Sequence, residues 1–134
     1  MNAAERLTAP LTAYGQLGPG ENTLYVGLQP PEGAKLSQGS PVEIRASGRG
    51  LSFPARVKVK LEPGAHIPVP VKISPGASER AEFKLSYFWC HDSEAGSSGQ
   101  CVRENAHVTV HLDLSGDRGG GEAYFDYRPG RAAH

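Results

Sequence analysis

Cys90 and Cys101 are the two residues of this sequence whose type and spacing set up a reaction, and they are its only cysteines. Ten residues separate them, and the stretch DSEAGSSG between them is small and polar. If the apolar runs on either side pair as a hairpin, the two Cα atoms come within the roughly 4.4–6.8 Å that a disulfide spans. Two chemistries follow from that. One is a staple, in which closing a loop of about 12 residues stabilises the fold by about 3 kcal/mol. The other is thiol–disulfide exchange, which needs one attacking thiolate, one resolving thiol and access to a sulfur. Phe88, Trp89 and His91 adjoin Cys90. An imidazolium there favours thiolate, which makes Cys90 the expected attacking residue, and the rings can shield the sulfurs. Two unpaired thiols are the third state the composition allows.

Other chemistries find less support. Zinc sites are built on tight C-x2-4-C pairs, and none is present. His107 and His111 are four apart, so on a strand they share a face with Cα atoms roughly 13 Å apart, too far to hold one ion. Their parity is opposite to Val108, Val110 and Leu112, which places them toward solvent. No G-x-S-x-G elbow occurs. The run SGDRGGG at 115–121 has the glycines of a phosphate loop but neither its lysine nor its strand-to-helix setting. No metal and no cofactor are expected.

The elements that must position the cysteines read as strands. Residues 23–28, 41–47, 56–62, 67–74, 80–89, 107–114 and 122–128 alternate apolar and polar with a period of two. Gly and Pro make up 17 and 11 of the 134 residues and fall mostly outside these runs, as turn chemistry requires. Pro68 and Pro70 lie two apart on one parity, which predicts an edge strand there. No window of helical length shows a 3.6-residue period. The expected fold is all-β, an immunoglobulin-like antiparallel β-sandwich of seven to eight strands, with a closed barrel as the alternative. The domain boundaries read as a flexible lead-in at 1–20, the β-domain at 21–128 and a tail at 129–134.

Formal charge is zero, with 14 basic and 14 acidic residues, and no stripe of one sign runs along the chain. Nucleic acid and acidic membrane surfaces are therefore not expected as partners. No apolar run approaches the ~20 residues of a spanning helix. The start MNAAERLTAP has no apolar core of a secretory signal, so the expectation is a cytoplasmic chain or a domain of a longer one.

Strand, PPEGAKL (30–36), further strands, LSYFWC (85–90), a polar loop, Cys101 and VTVHL (108–112) together resemble a known family. The pattern is similar to the amino-terminal domain of the disulfide reductase DsbD. It is still more similar to the carboxy-terminal β-domain of proteins that join a thioredoxin-like domain to NHL repeats. The resemblance covers roughly residues 24–127 and rests on aromatic-aromatic-Cys, loop, Cys and an alternating strand. It implies an immunoglobulin-like sandwich and a redox role for Cys90 and Cys101, with Trp89, His91 and Phe88 as auxiliary residues. It further implies a thioredoxin-fold partner or domain, and a cap over the sulfurs from residues 29–36 or 50–53.

Overall fold

The computed structural model describes residues 6–7, 10–91 and 100–130. The loop between the cysteines at 92–99 and the end of the tail at 131–134 lie outside the described residues. The strands are β1 (Arg6–Leu7), β2 (Leu11–Gln16), β3 (Gly20–Leu28), β4 (Ala34–Leu36), β5 (Pro41–Ser47) and β6 (Leu51–Ser52). They continue with β7 (Val57–Lys60), β8 (His66–Ile73), β9 (Arg80–His91), β10 (Cys101–Asp113) and β11 (Glu122–Tyr127). No helix is present among the described residues, so none is long and apolar enough to cross a membrane.

All of these strands join one sheet, in the order β6-β8-β3-β11-β2-β10-β9-β5-β7, with β1 beside β10 and β4 beside β9. The sheet curls into a half-barrel, because its end strands β6 and β7 do not pair with each other. The all-β expectation is met. The sheet is mixed rather than antiparallel, however, and among the described residues the strands number eleven rather than seven to eight. The parallel pairings are β1 and β2 with β10, and β11 with β3. Their cause is the position of β2, which slots between the consecutive strands β10 and β11. It runs parallel to the first and antiparallel to the second.

Alternation decides what lies inside. In β8 every second residue from Ile67 to Ile73 is buried, and in β11 Ala123, Phe125 and Tyr127 are. Across the interior Phe83 of β9 meets Phe125 edge to face at 5.0 Å, and Tyr87 meets Tyr127 at 6.3 Å. These are contacts between strands that do not pair, so the curl itself closes the core. Pro68 and Pro70 pair with β3 on one side, while on the other β6 reaches only Lys72 and Ile73. The two missing amide donors thus point to the open edge, as their spacing predicts.

The stretch expected as a lead-in contains β1 and β2. Only Ala13 of β2 is buried and Tyr14 is exposed, so no apolar alternation marks the strand. Between Thr12 and Gln16 the register against β10 shifts, and Tyr14 pairs instead with Tyr124 of β11. Gly15 makes this crossing at φ 131°, and a Cβ there would lie 2.1 Å from the Glu122 carbonyl oxygen. Gly15→Ala is expected to destabilise the fold by about 2–4 kcal/mol, from overpacking plus the disfavoured backbone region. Urea unfolding reads the effect, and an unchanged midpoint would show that β2 does not need this close approach.

Candidate functional site

The last residues of β9 and the first of β10 build the site. Cys90 and Cys101 are direct register partners with Cα atoms 3.9 Å apart, and their sulfurs are bonded at 2.08 Å. One step beyond, the His91 amide donates to the Gln100 carbonyl at 2.9 Å. The bridge therefore occupies a pair whose own amides point away from each other, the geometry in which side chains come closest. The ladder alone brings the sulfurs together.

The two cysteines differ in exposure. Cys90 is 8% exposed and Cys101 is open to solvent. The cause is the sheet order: β4 covers the far side of β9, with Lys35 opposite Cys90. On β10 the next strand begins only at Ala106, so among the described residues nothing pairs beside Cys101. Sequence adjacency to His91 favours Cys90 as the attacking residue; exposure favours Cys101.

Strand parity sorts the neighbours. Phe88 shares the outer face with the bridge, whereas Trp89 points into the core. His91 packs edge to face on Trp89, with ring centroids 5.1 Å apart, and so stands on that same inner side. Lys35 and Arg103 are among the cations on the bridge's own face, and Arg103's partner across the ladder is Phe88. Of the two stretches expected to cap the sulfurs, 29–36 supplies β4, which lies beside Cys90. The stretch 50–53 does not reach the bridge. Phe53 meets Phe83 at 5.7 Å, and Phe83 is seven residues from Cys90, roughly 23 Å along the strand.

On the inner face, three residues along β10 from Cys101, lies Glu104, a carboxylate only 2% exposed that sequence reading passed over. Its Oε1 accepts from Trp89 Nε1 at 3.0 Å and its Oε2 from the Tyr127 hydroxyl at 2.9 Å. It thereby ties the end of the β9–β10 ladder to β11. The Tyr87 hydroxyl donates to the Gln29 carbonyl at 2.7 Å and adds the residue after β3 to the same knot. The expected strand began at His107, but β10 begins at Cys101. The signal was present: Val102, Glu104 and Ala106 continue the parity of Val108. A glutamate at an inward position masked it.

Further along the ladder His107 Nε2 is 2.8 Å from Glu82 Oε1, and the Thr109 hydroxyl donates to the same carboxylate. No group of three or more His, Cys, Asp or Glu gathers for a metal ion among the described residues.

Glu104→Ala is expected to cost about 2–4 kcal/mol, because two buried donors lose their acceptor. Glu104→Gln keeps one acceptor oxygen and should cost about half as much. Denaturant unfolding followed through Trp89, the only tryptophan, measures both. Equal midpoints for the three proteins would show that the carboxylate does not hold the two elements together.

Neither a protein-family model nor a curated protein matches this chain, so its function has to be argued from the geometry of the bridge.

Proposed function

We propose that this domain is a thiol–disulfide exchange module that passes electrons to or from a thioredoxin-fold partner through the Cys90–Cys101 pair. The observation that carries this is the asymmetry of the bridge: it lies on the outer face at a strand end, with one sulfur-bearing residue exposed and the other covered. A nucleophile must reach one sulfur, and the departing sulfur must be stabilised as thiolate. Exposure assigns the first role to Cys101. Lys35, opposite Cys90, supports the second, since a nearby cation favours the thiolate.

A partner thiolate bonds to Cys101 Sγ, the Cys90–Cys101 bond breaks, and its electron pair leaves on Cys90 Sγ. The partner's second thiol loses its proton and attacks the partner's own bonded sulfur, releasing Cys101 as thiolate. The module gains two electrons and takes up two protons, and the partner becomes the disulfide. The reverse sequence oxidises the partner.

The half-barrel is consistent with an immunoglobulin-like sandwich in which β2 serves both layers and Phe83–Phe125 and Tyr87–Tyr127 fill the space between. The sequence resemblance to the DsbD amino-terminal domain and to the β-domain of thioredoxin-like NHL-repeat proteins motivates this reading. In the latter arrangement the partner is a domain of the same polypeptide.

A second reading, a stapling disulfide in a non-catalytic interaction domain, is favoured by the bridge joining directly paired residues at a ladder end. Its value is about 3 kcal/mol for a loop of this size. Redox titration by alkylation and mass separates the two readings. A midpoint between roughly −120 and −270 mV is expected for exchange, whereas a bridge still closed below about −300 mV makes it a staple. Cys90→Ser, which leaves Cys101 exposed, should trap a mixed disulfide with thioredoxin far better than Cys101→Ser does. Equal or absent trapping would overturn the assignment of Cys101 as the attacked sulfur.

A further inference from the structure

Beside the bridge, on the same outer face, the sheet has a groove of about 600 Å³. Its origin is an interruption in one strand partner of β9. Leu36 of β4 pairs with Trp89, and Glu43 of β5 pairs with Ser86. Only two residues of β9 lie between those pairs, against six of the partner segment. The excess, Ser37–Ser40, forms a turn closed by the Ser40 amide on the Ser37 carbonyl. The Gly39 amide donates to the Leu61 carbonyl at 2.8 Å, and only the Ser37 amide returns to Phe88, at 3.1 Å. Phe88 is left half-buried on the groove floor, with Pro41 and Val59 as further apolar lining.

The rim is basic. Lys58, Lys60 and Arg103 line the groove, and Lys35 stands next along β4. The single acid of the lining, Glu43, is engaged by Arg45 at 2.9 Å and Arg56 at 3.8 Å. The Arg45 hydrogen bond holds its carboxyl below the usual carboxylate range, with Arg56 and Lys58 adding to the effect. Glu43 is therefore ionised and offsets part of the positive charge, but Arg45 and Arg56 engage it, and Lys58, Lys60 and Arg103 outnumber it in the lining. A chain of zero formal charge thus gathers cations from three strands at one apolar slot.

We infer that this groove docks an extended acidic segment of a protein partner, with one large apolar side chain seated over Phe88 between Lys60 and Arg103. The spacing supports this occupant. Lys60, Pro41, Phe88 and Arg103 sit on four neighbouring strands, so the two cations are three strand spacings apart, roughly 14 Å. An extended peptide with acids two positions to either side of its apolar residue spans roughly 13 Å. A floor with one aromatic ring takes one side chain and offers no ladder on which successive bases could stack. Cys101 is two residues from Arg103 on the same face, roughly 7 Å along the strand. On the exchange reading, a segment held here delivers its thiol to the exposed sulfur. The docking itself requires no exchange.

Fluorescence anisotropy on the full chain tests this, with a labelled peptide carrying phenylalanine and aspartate two positions to either side. Binding should be at least tenfold tighter than for the peptides with serine in place of phenylalanine or lysine in place of aspartate. Lys60→Glu and Arg103→Glu should each weaken it about tenfold, while Glu122→Gln on β11 should leave it unchanged. The Cys90→Ser/Cys101→Ser double variant should bind as tightly while exchanging nothing, so docking and exchange fail separately. Equal affinity for the three peptides would overturn the inference. So would displacement of the peptide by a single-stranded oligonucleotide at lower concentration than by unlabelled peptide, which would assign the face to nucleic acid.

Discussion

Everything in this domain hangs on the register between β9 and β10. Eleven residue pairs run without interruption from Cys90–Cys101 to Arg80–His111. Because side chains alternate faces, one register sets two surfaces at once. The inner surface takes Phe83, Tyr87 and Trp89 to the core, and the outer takes the bridge, Phe88 and Arg103. A slip of one residue in β10 would turn Glu104 outward and separate it from Trp89 and Tyr127. The bridge secures one end of the ladder, and the Leu112 amide bond to the Glu79 carbonyl at 2.7 Å secures the other. Hydrophobic burial, a covalent bond and backbone pairing all specify the same alignment, which is what a single native state requires.

Much of this was legible where burial follows strict alternation. β3, β5, β8, β9 and β11 lie where a period of two placed them, because one of their faces is buried throughout. β2 was not legible, since it packs Ala13 inward and displays Tyr14 outward. β4 was not legible either: three residues leave no period, and its strand character comes wholly from pairing with β9. Parallel pairing is set by which distant strands become neighbours, and no local window contains that information. At the site, the hairpin and the meeting of the cysteines could be read. The unequal exposure of Cys90 and Cys101 could not, because it depends on β4 covering one and on where β1 joins β10.

Charge shows the same division between local and assembled information. Lys35, the pair Lys58 and Lys60, and Arg103 lie far apart along the chain. Cross-strand pairing collects them on one outer face, while Glu21, Glu122 and Asp126 are exposed on β3 and β11 of the other half. With screening over about 8–10 Å in physiological salt, an approaching molecule senses the nearest face and not the neutral total.

The direction of β2 has a consequence for how the domain can be joined to others. β2 runs parallel to β10, and β11 antiparallel to β2, so the start of β2, the end of β11 and the Cys101 end of β10 all point the same way. The hydrogen bond of the Gln29 amide to Tyr127 and that of the Arg128 guanidinium to the Pro30 carbonyl keep β11's end there. The start of β2 lies level with Val110, whereas Tyr127 at the end of β11 reaches Glu104, so a domain tethered by a short flexible linker to the end of β11 begins its search on the disulfide side of the molecule. Its effective concentration at the sulfurs would be on the order of millimolar. At that concentration even a partner with weak intrinsic affinity would meet the bridge as an intramolecular neighbour, and linker length would set the rate of encounter.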